Sequence, residues 1–206
     1  ITAQWFLVSN VHTSAGYELA KRVMDLAAAL LGLLVTLPLW PIIALAIRFE
    51  SRGSVLFRQK RVGLHGRPFT MLKFRTMRLD AESDGPRWAS ENDERATRVG
   101  RFLRSTRLDE LPQLLNVLSG EMTLVGPRPE RPEFVDRLAE QIPHYHQRHL
   151  IRPGVTGWAQ INCGYGAGVD AARQKLCYDL YYLKHRSIDM DFATPLRTCR
   201  KFIAGP

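Results

Sequence analysis

A long uncharged segment is the strongest hydrophobic pattern in the chain. No charged residue occurs from Leu26 to Ile47, and a run of about 20 apolar residues can cross a bilayer as one helix. Pro38 and Pro41 lie inside this segment, and each proline removes a helix hydrogen bond and crowds the preceding turn. The pattern therefore predicts two helices separated by a bend near Pro38.

The charges beside this segment indicate how it meets a membrane. Basic residues flank both of its ends, namely Lys21, Arg22, Arg48, Arg52, Arg58, Lys60 and Arg61. Because positive residues favour the cytoplasmic side, we expect both ends there, which favours a re-entrant helix-break-helix over residues 21–50. Backbone groups freed at the bend need partners, and the Thr36 hydroxyl is a candidate. A kinked spanning helix and a buried helix of a soluble protein are the alternatives.

Shorter patterns predict the middle of the chain. Residues 55–57 and 69–72 are largely apolar and flank a turn region with glycine and proline, which is typical of a β-hairpin. Residues 80–94 are polar and predict a loop. Residues 123–125 read as extended. These elements give a small β component beside a larger helical one.

Three further helical patterns follow. The first has an apolar face of Phe134, Leu138, Ile142 and Tyr145, and Pro143 is expected to bend it. The second has an apolar face of Leu176, Leu180 and Leu183. Residues 188–203 mix apolar with basic side chains, a pattern suited to a helix lying in a membrane surface. The predicted fold class is therefore α+β, mostly helical, with a re-entrant membrane helix-break-helix, a small β-hairpin and amphipathic interfacial helices.

The composition points to an acidic partner. The 206-residue chain has a formal net charge of +9 and a pI near 9.9, which suits nucleic acid, an anionic membrane face or phosphorylated small molecules. Its cysteines, Cys163, Cys177 and Cys199, are far apart, so neither a zinc knuckle nor a disulfide framework is predicted, and a reducing compartment fits best. The chain begins with Ile1, as a fragment of a longer protein would, and its first residues lack the order of a secretory signal.

Two adjacent carboxylates are the first candidates for chemistry. Asp109 and Glu110 lie in the run RLDELPQ (Arg107–Gln113), which precedes apolar residues at helical spacing and a stop at Gly120. Pro112 is tolerated in the first turn of a helix, so both carboxylates are expected at a positive helix end, where free N–H groups could also hold a phosphate. An ordinary N-cap aspartate followed by a first-turn glutamate gives the same pattern.

Several basic residues lie beside rigid or turning backbone, which suits an anion site because such side chains need little ordering. They are Lys73 and Arg75 in KFRTM, Arg104, Arg128 between two prolines, and Arg152 before Pro153-Gly154. Each of them alone could be a solvated surface charge. Together they predict a phosphate-binding surface. This surface is expected to keep Asp109 ionised, the state in which a carboxylate acts as nucleophile or metal ligand.

Histidines and tyrosines offer weaker alternatives. His144, His146 and His149 do not share one helical face, so a zinc site is not favoured. Three tyrosines near the C-terminus could stack on nucleic-acid bases, but beside a membrane segment such residues are more typical of an interfacial belt or a core. They are Tyr178, Tyr181 and Tyr182. No nucleic-acid partner is therefore expected.

Longer stretches of the chain resemble one known family. They are KRVMD (Lys21–Asp25), Pro38, FRQKRVG (Phe57–Gly63), KFRTM (Lys73–Met77), the stretch from Thr97 to Glu130 that contains LDELPQ and VGPRPE, RPGVTGWAQIN (Arg152–Asn162) and YDLYYLK (Tyr178–Lys184). In this order, from about Lys21 to the C-terminus, they resemble the bacterial sugar transferases called monotopic phosphoglycosyl transferases. The similarity strongly favours a functional role for Asp109 and Glu110.

The resemblance implies an activity and a set of site residues. The implied reaction transfers a sugar-1-phosphate from a UDP-sugar to polyprenyl (undecaprenyl) phosphate and releases UMP. Asp109 would form a covalent phosphosugar intermediate, and Glu110 would help Asp109 to hold magnesium. The implied substrate-binding residues are Lys73, Arg104, Arg128 and Asp179.

The resemblance also implies a location and a domain organisation. The expected place is the cytoplasmic face of the bacterial inner membrane, at the first membrane step of exopolysaccharide, capsule or O-antigen synthesis. The expected units are a leader or linker over residues 1–20, the re-entrant membrane helix over 21–50, and a cytosolic catalytic domain with interfacial helices over 51–206. The sugar, the glycan pathway and a homo-oligomeric state stay open.

Two departures from the family pattern affect which family roles can be assigned to positions in this chain. Leu37 precedes the break proline where relatives commonly have serine, with Thr36 one residue earlier. Cys163 begins a segment in which many relatives place an arginine, a role that Arg173 could take. The competing hypothesis is a non-catalytic membrane scaffold whose basic face binds anionic lipid or nucleic acid.

Overall fold

The computed structural model describes residues 14–83, 85, 93–163, 166 and 168–204, with side chains up to residue 200. Within these ranges helices dominate and the strands are short, so the predicted α+β, mostly helical class is confirmed. Most of the predicted leader, residues 1–20, lies outside the described residues. Helix α1 (Ala15–Thr36) already occupies the end of that leader, because the Ser14 hydroxyl caps it by accepting from the Tyr17 N–H.

Helices α1 and α2 (Leu39–Glu50) form the predicted bent pair. Their axes differ by 63° across the break at Pro38. Among the described residues, no single helix is long and apolar enough to cross a membrane, whereas the bent pair meets the same criteria of length and composition. The Thr36 hydroxyl donates to the Gly32 carbonyl at 2.7 Å, a contact that often accompanies helix bending. Gly32 lies inside α1, so the prediction that Thr36 would partner a backbone group freed at the bend is not confirmed.

The first half of α1 packs on the rest of the molecule, and the second half is largely exposed. Asp25 and Ala29 are buried, and Gly32 packs against Leu114. Beyond them the large apolar side chains face outward, namely Leu30, Leu31, Leu34, Val35, Leu37, Leu39, Ile42, Leu45 and Phe49. A contiguous apolar surface of this kind is typical of a membrane or partner contact.

The predicted β-hairpin is confirmed. Strands β1 (Leu56–Val62) and β2 (Pro68–Phe74) pair antiparallel, with Leu56 opposite Phe74. Their connection is a tight turn with positive φ at His65 and Gly66. The hairpin carries Lys73 near the end of β2.

A second, parallel pair of strands is not evident from the sequence. Strand β3 (Thr123–Val125), predicted as extended, pairs with β4 (Gly154–Thr156), so that Thr123 lies opposite Gly154. The two backbones approach so closely that a Cβ on Gly154 would clash with the backbone of Gly126. Glycine is therefore required at position 154, which lies against the point where the chain leaves β3 toward Arg128.

The remaining helices enclose the core beside this pair. They are α3 (Arg98–Thr106), α4 (Gln113–Leu118), α5 (Pro132–Gln141), α6 (Trp158–Asn162), α7 (Val169–His185) and α8 (Ile188–Ala204). The two predicted apolar faces are buried in one cluster, and the helix predicted over residues 188–203 is confirmed as α8. Residues 80–83 of the predicted loop form turns, while residues 84 and 86–92 lie outside the described part of the chain.

One helix prediction is wrong in extent. Helix α5 ends at Gln141, and Ile142 is extended, with φ −124° and ψ 109°. Pro143 explains this, because the residue before a proline is disfavoured in the helical region. Tyr145 consequently belongs to a separate 3₁₀ segment, Tyr145–Leu150, although its side chain remains in the core.

Candidate active site

The two carboxylates lie in a 3₁₀ turn, Leu108–Glu110, between α3 and α4. Arg107 ends α3 in the left-handed conformation, at φ 58°, and turns the chain toward them. Helix α4 begins only at Gln113, after Pro112. The prediction that both carboxylates lie in the first turn of a helix is therefore wrong, because the left-handed Arg107 starts a tighter turn and regular helical bonding begins after the proline.

Positive charge converges on one oxygen of Glu110. Lys73 Nζ and Arg128 Nη2 each lie 2.9 Å from Glu110 Oε1, and Arg107 Nη1 lies 3.8 Å from it. The Glu110 residue is 8% exposed, so its carboxylate is shielded from water, whereas the Arg128 and Arg107 side chains are 37% and 35% exposed. Burial by itself would raise the pKa of Glu110, but Arg128, Lys73 and Arg107 together hold it far below its ordinary value. Glu110 is therefore ionised throughout the physiological range.

Asp109 has a different environment from its neighbour. Its Oδ2 lies 3.9 Å from Lys73 Nζ, whereas its Oδ1 is buried and accepts no hydrogen bond from the described part of the chain. Burial raises the pKa of Asp109, the charge of Glu110 adds to this, and Lys73 and Arg128 oppose it. The basic residues bond Glu110, and their lowering of the Asp109 pKa does not outweigh burial, so the ionised state of Asp109 stays a prediction.

The structure brings four predicted site residues together: Lys73, Asp109, Glu110 and Arg128. Lys73 comes from strand β2, and Arg128 from the segment between two prolines that follows β3. Arg104 lies in the last turn of α3, half-buried, and is near enough to Asp93 to lower the pKa of that carboxyl together with Arg95.

Asp179, the remaining predicted site residue, lies behind Arg128 on helix α7. It is 2% exposed, and its Oδ2 accepts from Arg148 Nε at 3.0 Å and lies 2.8 Å from Arg148 Nη2 in an ion pair. Arg148 Nη2 also donates to the main-chain carbonyl of Arg128 at 2.9 Å. Sequence reasoning did not find Arg148. A signal for it was available, because Arg148 follows Tyr145 by three residues and so falls on a buried face, where a cation requires a buried acid as its partner.

The predicted phosphate-binding surface is narrower than expected. Arg75 donates to the carbonyls of Ser51 and Arg52, and Arg152 donates to the Gly120 carbonyl, so these two bind backbone rather than the site. Arg173, the suggested substitute for a family arginine, is exposed, with a 3.7 Å contact to Asp170. Arg75 and Arg152 bind these loop carbonyls because burying an unpaired carbonyl costs free energy.

The residues present fit magnesium through Asp109. Within the described residues, no group of three or more His, Cys, Asp or Glu side chains could hold a metal ion. Magnesium, however, commonly binds one or two carboxylates together with substrate phosphates. The unpaired Oδ1 of Asp109 is suited to such a role, whereas Oε1 of Glu110 already accepts from Lys73 and Arg128. Glu110 as a magnesium ligand stays a prediction.

Comparison with known proteins agrees with these features. Residues 16–205 match the model of a family described as bacterial sugar transferase. The chain is 44% identical over 189 residues to the UDP-N-acetylgalactosamine-undecaprenyl-phosphate N-acetylgalactosaminephosphotransferase of Aeromonas hydrophila. The aligned region covers 92% of this chain and 45% of the relative. It is 46% identical over 184 residues to the UDP-glucose:undecaprenyl-phosphate glucose-1-phosphate transferase of Caulobacter vibrioides. That aligned region covers 88% of this chain and 68% of the relative.

A third relative is the undecaprenyl-phosphate glucose phosphotransferase of Komagataeibacter xylinus, 44% identical over 191 residues, or 90% of this chain and 36% of the relative. The chain thus spans less than half the length of the Aeromonas and Komagataeibacter proteins. The family match, by contrast, extends over nearly the whole chain and includes both buried carboxylates. The chain belongs to the bacterial sugar transferase family.

Proposed function

We propose that this chain transfers a sugar-1-phosphate from a UDP-sugar to a polyprenyl phosphate and releases UMP, with Asp109 as the nucleophile. The single observation that supports this best is the Asp109 carboxylate, whose Oδ1 is buried with no hydrogen-bond donor among the described residues and whose Oδ2 lies 3.9 Å from Lys73 Nζ. A buried acceptor without a donor costs folding free energy, so its presence favours a functional role over a structural one. The names of the relatives supply the substrate classes.

The proposed chemistry has two displacements at phosphorus. Asp109 attacks the β-phosphorus of the donor, the bond from that phosphorus to the bridging oxygen breaks, and UMP leaves with the electron pair. An oxygen of the polyprenyl phosphate then attacks the same phosphorus, which frees the Asp109 carboxylate and completes a diphosphate link between lipid and sugar. Two steps through an acyl phosphate replace one displacement between two phosphates that repel each other.

The surrounding charges support this chemistry. Lys73 and Arg128 are fixed 2.9 Å from Glu110 Oε1 and can spread the charge of the transferring group without further ordering. Glu110 holds both cations, and its low pKa keeps it charged while it does so. Magnesium, held by Asp109 and the donor phosphates, would reduce the repulsion between carboxylate and diphosphate.

Intact-protein mass spectrometry tests the covalent step. The protein is incubated with UDP-glucose or UDP-N-acetylgalactosamine and no acceptor, and the mass and the released UMP are followed. We expect one sugar-phosphate adduct, located on Asp109, with one UMP per adduct. Asp109→Asn should give neither, whereas Asp136→Asn, a change at an exposed acid on α5, should behave as the wild type.

Three results would contradict the proposal. One is wild-type release of UMP by Asp109→Asn. Another is full turnover with polyprenyl phosphate while no adduct is ever detected with donor alone. The third is the absence of any UMP release from a folded preparation across a panel of UDP-sugars, which would favour the scaffold hypothesis. Turnover that persists in EDTA would remove magnesium from the proposal while leaving the adduct intact.

We also propose that the bent pair enters the cytoplasmic leaflet and returns to the side it came from. Helix α2 has 12 residues, so it is about 18 Å long, short of the roughly 30 Å hydrocarbon core of a bilayer. The 63° bend and the exposed apolar side chains around it support this location. Such a placement brings a soluble donor and a lipid acceptor to the same site.

Cysteine labelling tests the topology. Ser14→Cys and Ser54→Cys, both at exposed positions on either side of the bent pair, are made in a background without Cys163, Cys177 and Cys199. An impermeant maleimide is then applied to sealed vesicles of each orientation. We expect both cysteines to react from the same side. Reaction from opposite sides would show that the pair spans the membrane.

A further inference from the structure

A chain of buried contacts reaches Arg128 from behind. Asp179 on helix α7 accepts from Arg148 Nε and forms an ion pair with Arg148 Nη2 at 2.8 Å. Arg148 Nη1 donates to the Tyr145 hydroxyl at 2.9 Å, and Arg148 Nη2 donates to the Arg128 carbonyl at 2.9 Å. Arg148 and Tyr145 are also in cation–π contact at 5.2 Å. A guanidinium with this many bonds in fixed directions has little freedom to move.

Burial shields this chain of contacts from ligands. Asp179 is 2% and Arg148 5% exposed. A small cavity of about 50 Å³ lies beside them, and Glu130, Tyr145 and Arg148 are among its lining residues, while Asp179 is not. Asp179 therefore has its charge matched by Arg148 and presents no surface to a substrate.

The main chain around Arg128 is held from both sides. The Gly154 N–H donates to the Pro127 carbonyl at 2.9 Å, Arg148 holds the next carbonyl, and the flanking prolines restrict the backbone torsions. The Arg128 side chain then reaches Glu110 Oε1 at 2.9 Å. The position of its guanidinium thus depends on a backbone that Arg148 fixes.

We propose that Arg148 and Asp179 are positioning residues that act on the transfer reaction through the backbone of Arg128, and that Asp179 does not contact substrate. This rests on the proposed function of the site. Arg128 contributes by its place relative to the transferring phosphoryl group, and a misplacement of about 1 Å at such a group costs on the order of 10²-fold in rate. Loss of the support from Arg148 should therefore lower the rate of the first step and leave donor affinity nearly unchanged.

A double-mutant cycle with Arg128 is the test. Asp179→Asn, Arg148→Lys and Tyr145→Phe are made in the wild type and in Arg128→Lys, and single-turnover adduct formation and donor affinity are measured for each. Arg148→Lys retains the charge, and Tyr145→Phe removes only one hydroxyl, so at least these two should fold. Arg186→Lys is the matched control, because the Arg186 side chain is 5% exposed and pairs with Glu18 at 3.1 Å, away from Arg128.

We expect Asp179→Asn and Arg148→Lys to slow adduct formation by about 10- to 100-fold when Arg128 is present. In the Arg128→Lys background the same changes should cost less than about threefold. Donor affinity should change by less than about threefold throughout. Fully additive losses, or a loss of donor affinity at unchanged rate, would overturn the proposal and restore a direct role for Asp179.

Hydrogen exchange without substrate separates this proposal from the proposed function. Exchange in the peptide covering residues 126–130 should quicken in Asp179→Asn, Arg148→Lys and Tyr145→Phe but not in Arg186→Lys. This readout remains decisive if the wild type forms no adduct, a result that would contradict the transferase chemistry alone. Unchanged exchange in all variants would overturn the positioning role.

Discussion

Two buried carboxylate clusters in this molecule are built in different ways. The α1 cluster joins Asp25 and Asp191 to Tyr17, Lys21, Thr123 and Tyr182. In it both oxygens of Asp25 accept, from the Thr123 hydroxyl and from the Leu124 N–H at 3.1 Å. Both oxygens of Asp191 also accept, from Tyr17 at 2.8 Å and from the Tyr182 hydroxyl. Every acid in this cluster is fully bonded.

The second cluster, called the catalytic cluster for its proposed function, consists of Lys73, Asp109, Glu110 and Arg128, and its bonding is uneven. Both cations bond Glu110, while Oδ1 of Asp109 is buried and has no donor among the residues that the structure describes. Burial without partners is expensive, whereas burial with a complete set of donors stabilises a fold. The comparison teaches that the α1 cluster fixes the helix to the domain, and that the catalytic cluster keeps one oxygen free at the expense of stability.

The largest expected effect is that of Asp109→Asn on turnover. Removing a nucleophile should lower the rate of UMP release by on the order of 10⁴-fold or more. The same change should raise the melting temperature at neutral pH, because burial raises the pKa of Asp109 and its charge therefore disfavours the folded state. An assay of UMP release checks the expected loss of rate, and thermal unfolding checks the expected rise in melting temperature. A lower melting temperature would mean that Asp109 stabilises the fold after all.

Asp25→Asn should give the opposite outcome. It replaces a carboxylate that accepts from Thr123 and Leu124 and has Lys21 at 3.9 Å, so the free energy of unfolding should fall by about 3 kcal/mol. Adduct formation by the protein that remains folded should stay within about twofold of the wild type. Denaturant unfolding and single-turnover kinetics are the measurements, with Asp136→Asn as the exposed control.

A smaller effect concerns the acidic limb of the pH profile. Asp109 reacts as the carboxylate, so adduct formation should decline as the pH falls through its raised pKa, at a pH above the ordinary range of an aspartate. Lys73 opposes that rise. Lys73→Met should therefore raise the pKa of Asp109 further and move the acidic limb to higher pH. A limb that stays in place or moves to lower pH would contradict the assignment.

The smallest expected effect is that of Tyr17→Phe. It removes one hydroxyl that donates to Asp191 and should lower the free energy of unfolding by about 1 kcal/mol. The α1 cluster keeps its other bonds to Asp191 from Tyr182 and Lys21. Adduct formation should not change. A marked loss of activity in folded Tyr17→Phe would show that the two clusters are coupled.

Local features of the fold could be predicted from the sequence. Pro38 predicted the bend, and two short apolar runs around a turn region with glycine and proline predicted the hairpin, because both features depend on near neighbours in the chain. The parallel pair β3 and β4 could not be predicted, since each strand has three residues and the contact joins Thr123 to Gly154. Pairings at such a separation are set by packing rather than by local preference.

The sequence predicted which residues form the candidate site better than it predicted which of them bond each other. Lys73, Arg128 and the two carboxylates meet as expected. Which of two adjacent acids receives the cations depends on the left-handed Arg107 and the 3₁₀ turn after it, and a sequence pattern does not contain that choice. The role of Arg148 depends likewise on the packing of α7 against the 3₁₀ segment that carries it.

Under the proposed membrane placement, helix α1 connects the lipid-embedded bend rigidly to the candidate active site. It is one unbroken helix of 22 residues, about 33 Å long, held near its middle through Asp25 and packed on α4 at Gly32 and Leu114. The depth at which the bend settles in a bilayer would therefore fix the height of Asp109 above the headgroups. Membranes of different thickness should present the acceptor phosphate to this enzyme at different heights, so bilayer thickness becomes a determinant of its rate.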